Sequence, residues 1–329
     1  MRSPTRFSAA RPARPGRARG PVRAVRVEAR AKLNLGLAVG PRRPDGFHEL
    51  ATLFQTVSLA DTLIARRLPH GFDLRVRFEN AALRGGAPAT ARPGVPSGSR
   101  NLVLRAARRF AALAGLSSGA GFELVKRIPA GAGLGGGSAD AAATLAALSA
   151  LYRVRLSPSE RLALAAELGA DVPFACRGGT ALGLGRGDRL TPLRLARPFR
   201  ALLAVPKWRI STHLAFAQID RNKYGLTGWT AKLRFAQRLA TKSVSAEKAL
   251  LLGNDFEPAL GRRKVEFASL CSRLERAGVP RVRMTGSGSA VFGIIPPRTS
   301  VAAVLSKFTG KEALYEVHST QRGLKVQTI

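Results

Sequence analysis

Residues 122–152 read FELVKRIPAGAGLGGGSADAAATLAALSALY, a strand-like run, five glycines between 131 and 137, and an alanine-rich helical run. Glycine lets backbone N–H groups converge with no side chains in the way, and the helix start behind them adds a partial positive charge. A strand, a glycine loop and a helix N-terminus in that order make an anion-binding loop. Gly131, Gly133 and Gly136 satisfy a G-x-G-x-x-G spacing. A dinucleotide-binding unit, however, wants an acidic residue ending the next strand, roughly twenty positions on. Two helical segments follow instead, and Glu160 belongs to a capping box. A Walker A loop fails, because no G-K-[ST] occurs in the chain. A plain flexible linker would not be bracketed by a strand and a helix.

The loop sits in a chain of 329 residues, comfortable for two domains at about 150 residues each. Hydrophobic residues make up 45% of it, enough for a sizeable core. No run approaches the ~18 apolar residues of a membrane span, and Asp140 interrupts the most apolar helix. The net charge of +34 favours polyanionic partners, whether nucleic acid, anionic membranes or phosphorylated small molecules. Aromatics are only 6%, and no nucleic-acid recognition signature is present. Genome composition is an equally good source of the arginine excess. Cys176 and Cys271 lie far apart and outside metal spacing, as buried thiols of a reducing compartment would. Residues 1–24, rich in Arg, Pro, Ala and Gly, read as a disordered basic leader. The leader lacks an apolar signal core, and its prolines spoil the amphipathic helix of a transit peptide. The location expected is therefore cytoplasmic, and plastid only if the leader is a transit peptide after all.

From Val25 to Val39 every odd position is Val, Ala or Leu, while Arg26, Glu28, Arg30, Lys32 and Asn34 occupy even ones. Period two means a strand with one buried face, so Lys32 and Asn34 point the same way off its polar face. PRRPDGF supplies a turn, and LATLFQTVSL and FDLRVRFE continue as strands. Ser99 reads as the N-cap of a helix ending at Gly115. Ser157-Pro158-Ser159-Glu160 is a capping box that opens a helix stopping at Gly169. A boundary near 195 divides the folded chain into domains 25–195 and 196–329. The second holds strand RALLAVP, helix FASLCSRLERAG, the strand-turn-strand RVRMTGSGSAVFGII, helix TSVAAVLSKF and strand EALYEVHS. Strands and helices mix without βαβ regularity, which is an α+β pattern.

With those segments in place, Pro129-Ala130-Gly131-Ala132-Gly133-Leu134-Gly135-Gly136-Gly137-Ser138 resembles the phosphate loop of the GHMP kinases, small-molecule kinases with a two-domain α+β fold. The GLGGGSAD form is similar to one branch, whose substrate is a polyol linked through a diphosphate to cytidine. AKLNLGLAVGPRRPDGFHELATLFQTV at 31–57, NLVLRAARRF, LGADVPF, GNDFEP and MTGSGSAVF fall in the same order as that branch's blocks, over roughly 25–295. The resemblance implies ATP-dependent phosphorylation of the polyol's 2-hydroxyl in the non-mevalonate isoprenoid route. Another GHMP kinase with a sugar or polyol substrate is the alternative, and a basic nucleic-acid-binding protein the remote one. The implied ligands are ATP with Mg²⁺ and the small-molecule substrate, without nucleic acid or membrane, in a monomer or a homodimer.

Carried over residue by residue, the resemblance makes Asp171 the catalytic base and Lys32 its cationic partner, polarising the substrate hydroxyl. Taken alone, Asp171 reads as a turn cap and Lys32 as a solvated strand lysine. The loop from Pro129 to Ser138, with Ala139, cradles the nucleotide phosphates, and Ser138 is suited to touch a phosphate oxygen or Mg²⁺. Asn101 resembles an adenine-side contact. Asn34, Phe47, His48, Thr212 and Phe216 resemble the substrate pocket, with Phe47 standing where the branch has a stacking tyrosine and Phe216 as the opposing ring. Gly286, Ser287 and Gly288 resemble a third motif that supports the phosphate loop from the second domain. Residues 217–250 fit the family poorly and receive no role.

Overall fold

The period-two run from Val25 becomes β1 (Ala24–Arg42), which pairs antiparallel along the length of β2 (His48–Leu68). These two long strands form the spine of the computed structural model, which describes residues 22–85, 95–96, 98–222, 228–240 and 243–329. The disordered-leader expectation lies outside the described residues up to position 21. At its other end it needs correction, because Ala24 already pairs with Arg66 in the sheet.

β3 (Phe72–Phe78) lies parallel to β4 (Gly119–Lys126), and β4 lies antiparallel to the second half of β2. The first half of β2 instead pairs with β5 (Thr180–Gly185), which turns back into β6 (Arg189–Leu193). The helices on this sheet are α1 (Leu102–Ala114), α2 (Gly136–Tyr152), α3 (Pro158–Leu168) and the short α4 (Val172–Arg177). Ala139, Ala141, Ala142, Ala143 and Ala147 on α2 are all buried, which lets that helix sit close to its neighbours. A helix apolar all round belongs inside the fold. α3 carries the full capping box, Ser157 accepting from the Glu160 amide and the Glu160 carboxylate from the Ser157 amide. The N-cap of α1 is Asn101 rather than Ser99, its Oδ1 accepting from the Val103 amide at 2.9 Å.

A second sheet has the order β10-β7-β9-β8, from β7 (Arg200–Val205), β8 (Arg283–Met284), β9 (Val291–Ile295) and β10 (Ala313–His318). α5 (Thr212–Asn222), α6 (Trp229–Leu239), α7 (Ala246–Leu250), α8 (Lys264–Arg276) and α9 (Val301–Lys307) complete this half. The chain then returns: β11 (Leu324–Thr328) pairs with Val25–Ala29 on the outer edge of β1. A division at 195 therefore leaves one strand of the first sheet on the far side of the cut.

The one-sided burial expected of β1 holds only at its start. From Ala31 to Gly40 both faces are buried, because the glycine loop covers Lys32 while Leu37 and Val39 pack into the core of the second half. Leu37 donates to the Gly253 carbonyl and accepts from the Asp255 amide, and Val39 donates to Asp255 Oδ2. Register shifts at Arg30/Lys32 and Asn34/Gly36 bracket the two polar residues. Bulges of this kind re-aim side chains and recur beside active sites.

Candidate active site

Between the two sheets lies a cleft of about 380 Å³. One wall is the glycine loop. Gly131, Gly133 and Gly135 all adopt left-handed backbone (φ 66°, 78° and 70°), and a Cβ on Gly133 would lie 2.1 Å from the Thr285 carbonyl oxygen. Only glycine fits there. α2 begins immediately afterwards, with Gly135 as its N-cap and no side-chain cap. The amides of Gly136, Gly137 and Ser138 stand in the first turn, where a helix leaves its N–H groups without intrahelical partners. Ala139 is already inside the helix, its amide donating to the Gly135 carbonyl at 2.9 Å. Ala132, Leu134 and Ala139 bury their side chains, so they and the flanking Pro129 and Ala130 shape the loop rather than face the cleft.

Lys32 rises from β1 under this loop. Its amide donates to the Leu134 carbonyl at 3.0 Å, and its stem packs on Gly135. Lys32 Nζ donates to Asn34 Oδ1 at 2.5 Å, lies 3.6 Å from Asp171 Oδ2 and stands 5.7 Å from the centre of the Phe54 ring. Asn34 is held in turn, its Nδ2 donating to Thr52 Oγ1 at 2.8 Å and its amide to Thr285 Oγ1 at 3.0 Å. Asp171 occupies the N-cap position of α4, yet its side chain makes no cap hydrogen bond. Its carboxylate is directed at Lys32 instead.

The loop at 286–288 closes the site from the second sheet. The Ala290 amide donates to the Ala132 carbonyl at 3.1 Å, and Asn254 Nδ2 donates to the carbonyls of Met284 and Gly286 at 2.8 and 2.9 Å. The GNDFEP block thus has a physical task that its sequence did not disclose. Thr212 and Ser287 join hydroxyls at 2.8 Å.

At the far end, Phe47, His48, Phe216 and Phe256 line the cleft. His48 is buried, and the Asp220 carboxylate accepts from its Nε2 at 2.7 Å. Phe216 stacks on His48 at 4.9 Å and 20°, and meets Phe256 edge-on. Phe216 is thus packed on His48, while Phe47 keeps half its surface open. Asn101 is not brought to this cleft: its Oδ1 caps α1 and its Nδ2 donates to the Pro96 carbonyl at 2.6 Å.

Beneath the loop lies an arrangement that sequence reading missed. Lys126, at the end of β4, is buried between Asp61 of β2 and Asp140 of α2, with Asp140 Oδ2 at 2.6 Å. Asp61 Oδ1 also accepts from the amides of Arg127 and Ile128, at 2.5 and 2.8 Å. Burial pushes the Asp140 carboxyl well above its usual range; the Lys126 ammonium pulls it back and Asp61 pushes it up again. Lys126 is held above its ordinary value, its two carboxylates outweighing the cost of burial. Only Asp140's position in an otherwise apolar helix signalled this triad. Arg186, Phe54, Thr52 and Thr285 were missed as well; a lone Arg between two glycines and a Thr before a turn are too common to single out. Burial also pushes the Cys176 and Cys271 thiols up to about 12. Among the described residues, no three His, Cys, Asp or Glu side chains are grouped to hold a metal ion, and no helix is long and apolar enough to cross a membrane.

Comparison with known proteins bears on the same residues. Residues 101–179 match the family described as GHMP kinases N terminal domain, and residues 240–313 match GHMP kinases C terminal. The chain is 38% identical over 281 residues to the 4-diphosphocytidyl-2-C-methyl-D-erythritol kinase of Pelotomaculum thermopropionicum, covering 85% of this chain and 92% of that protein. It is 39% identical over 290 residues to the kinase of the same name from Nocardia farcinica, covering 87% and 90%. A crystal structure of 4-(cytidine 5'-diphospho)-2C-methyl-D-erythritol kinase superposes with a TM-score of 0.69 at 34% identity, covering 89% of this chain and 98% of that one. A crystal structure of L. major mevalonate kinase, at 14% identity and a TM-score of 0.66, shares the fold. With a glycine loop, a lysine–aspartate pair and a second-sheet loop meeting at one cleft, and relatives this similar over nearly their whole length, the chain belongs to the GHMP kinases, in the family of 4-diphosphocytidyl-2-C-methyl-D-erythritol kinases.

Proposed function

We propose that the chain transfers the γ-phosphoryl group of ATP to the 2-hydroxyl of 4-diphosphocytidyl-2-C-methyl-D-erythritol, a step of the non-mevalonate route to isoprenoid precursors. The observation that carries this reading is the Lys32–Asp171 pair, 3.6 Å apart at the floor of a cleft walled by the glycine loop. Phosphoryl transfer asks a protein for positioning, charge neutralisation and a proton acceptor. The amides of the 131–138 segment take the phosphates. Asp171 accepts the proton as the substrate oxygen bonds to the γ-phosphorus, and the bridging oxygen leaves with ADP. Lys32, steered by Asn34, sits beside the attacking oxygen and offsets charge there.

Mg²⁺ prefers oxygen donors and keeps several waters, and the residues present fit that preference. Ser138 lines the cleft at the start of α2 and offers a hydroxyl, so the ion would arrive on the nucleotide phosphates and neutralise their charge. Phe47, His48, Thr212 and Phe216 form the cytidine end. Two unpaired cysteines suit a reducing cytoplasm.

The test is turnover of ATP against four acceptors: the cytidylyl substrate, galactose, homoserine and mevalonate. Selective ADP release with the first is expected. Equal or better turnover with any of the others would assign a different acceptor.

A further inference from the structure

Arg186 belongs to the cleft, yet no motif or family match gives it a task. It sits in the turn Gly185-Arg186-Gly187-Asp188 between β5 and β6, with both glycines left-handed (φ 70° and 95°). The β2–β5 register pairs Leu50 with Gly185, which sets this turn beside Phe47 and His48 at the start of β2. The guanidinium carbon lies 5.0 Å from the centre of the Phe47 ring. Its Nε and Nη2 both donate to Asp188 Oδ2, at 3.0 and 2.9 Å, and Nη2 reaches the Ala166 carbonyl at 3.4 Å.

Two consequences follow from this geometry. Phe47 stands at the end of a short exposed turn and is 52% exposed, so little else among the described residues fixes its ring. The Asp188 carboxylate also occupies two of the guanidinium nitrogens and offsets their charge, which makes Arg186 a poor hook for a free phosphate and a good rigid plate. We infer that Arg186 is a positioning residue for base recognition: clamped by Asp188, it backs one face of Phe47 and holds the ring as a preformed platform on which a pyrimidine base stacks. The inference rests on the cytidylyl substrate proposed above. Cation–π contact and prior ordering of a binding side chain each strengthen such a platform.

The test compares wild type with Arg186→Gln, Arg186→Lys, Asp188→Asn, Phe47→Ala and the Arg186→Gln/Phe47→Ala pair. The readouts are kcat, KM for ATP, KM for the cytidylyl substrate, and inhibition constants for cytidine and CDP. Arg186→Gln is expected to raise the cytidylyl KM and the cytidine inhibition constant together, by about three- to tenfold, with kcat and the ATP KM within about twofold of wild type. Arg186→Lys keeps a charge over the ring and should recover part of the loss. Asp188→Asn frees the clamp from the other side and should raise the same constants, so the test survives if Arg186→Gln folds badly. In the Phe47→Ala background, Arg186→Gln should add little. An unchanged KM in a folded Arg186→Gln, an effect on CDP but not on cytidine, or an undiminished effect without Phe47 would each overturn the inference. A wild type that neither turns over the cytidylyl substrate nor binds cytidine overturns the functional reading and this inference with it. Normal wild-type turnover with an unchanged Arg186→Gln KM overturns this inference alone.

Discussion

Lys32, Asn34 and Asp171 form a connected unit: Asn34 accepts from Lys32 at 2.5 Å, and Lys32 faces Asp171 at 3.6 Å. If Asp171 accepts the substrate's proton, Asp171→Asn keeps the shape and removes the base, so kcat should fall by about 10²–10⁴. Lys32→Met should lower kcat comparably, and the double variant should lose far less than the product of the two, because groups that act as a unit are not additive. Steady-state kinetics on the three proteins decides it. Multiplicative losses would separate the two roles, and a near-normal Asp171→Asn would leave only positioning and electrostatics to catalysis. Of these residues, the sequence placed Lys32 and Asn34 on one face through their spacing of two. The pairing with Asp171 came from the family resemblance and not from spacing, since 139 positions separate Asp171 from Lys32 and the packing of α4 against α2 and β1 brings them together.

The glycine loop and α2 carry the predictions for single elements. Gly131 and Gly133 share left-handed backbone, and alanine there costs about 1–2 kcal/mol. They differ in surroundings: among the described residues a Cβ on Gly131 meets only Arg209 Nη1 at 3.6 Å, whereas one on Gly133 collides with the Thr285 carbonyl. Gly133→Ala should therefore lower the melting temperature several degrees more than Gly131→Ala and weaken ATP binding by pushing the two loops apart. Equal effects would mean that backbone strain alone sets the glycine requirement. Below the loop, Lys126→Met leaves Asp61 and Asp140 buried without their ammonium, and breaking such an arrangement costs about 3–5 kcal/mol. Chemical denaturation measures it.

The same triad sets a pH dependence. Asp140's native value is raised above 3.8 by burial, so between those values the native state holds more protons than the unfolded chain. Stability contributed by this group is then present below about pH 3.8 and declines as pH rises through the raised value. Asp140→Asn has no such proton to lose. The wild-type denaturation midpoint, taken relative to Asp140→Asn, should fall as pH rises from about 4; parallel profiles would rule this coupling out.

At the scale of the whole molecule, the return of the chain as β11 ties its end to the first sheet. β11 is largely exposed, so its side chains bury little. Its work is to pair the backbone of Val25–Ala29 on an edge of β1 that is otherwise open among the described residues. Truncation after Gly323 should lower the melting temperature and promote self-association, because an unpaired edge strand templates pairing with other chains. Light scattering and thermal melts on the truncated protein check both. A monomeric truncate with an unchanged melting temperature would show that the edge is protected by something else.

What the amino-acid sequence determined by itself is what short range decides. The period-two strand at 25–39, the capping box at 157–160, and the glycines that free the backbone before α2 each act within a few residues, so pattern alone places them. Even there Asn101 displaced Ser99 as the cap of α1, a contest between two good capping residues that pattern cannot settle. The tertiary structure decided everything that depends on a partner far along the chain. It buried Lys32 under the glycine loop, seated Lys126 between carboxylates from two other elements, stacked Phe216 on His48, and set Arg186 behind Phe47. None of these has a local signature, because the energy of a buried charge or an aromatic contact depends on what the fold brings opposite it, not on its neighbours in sequence.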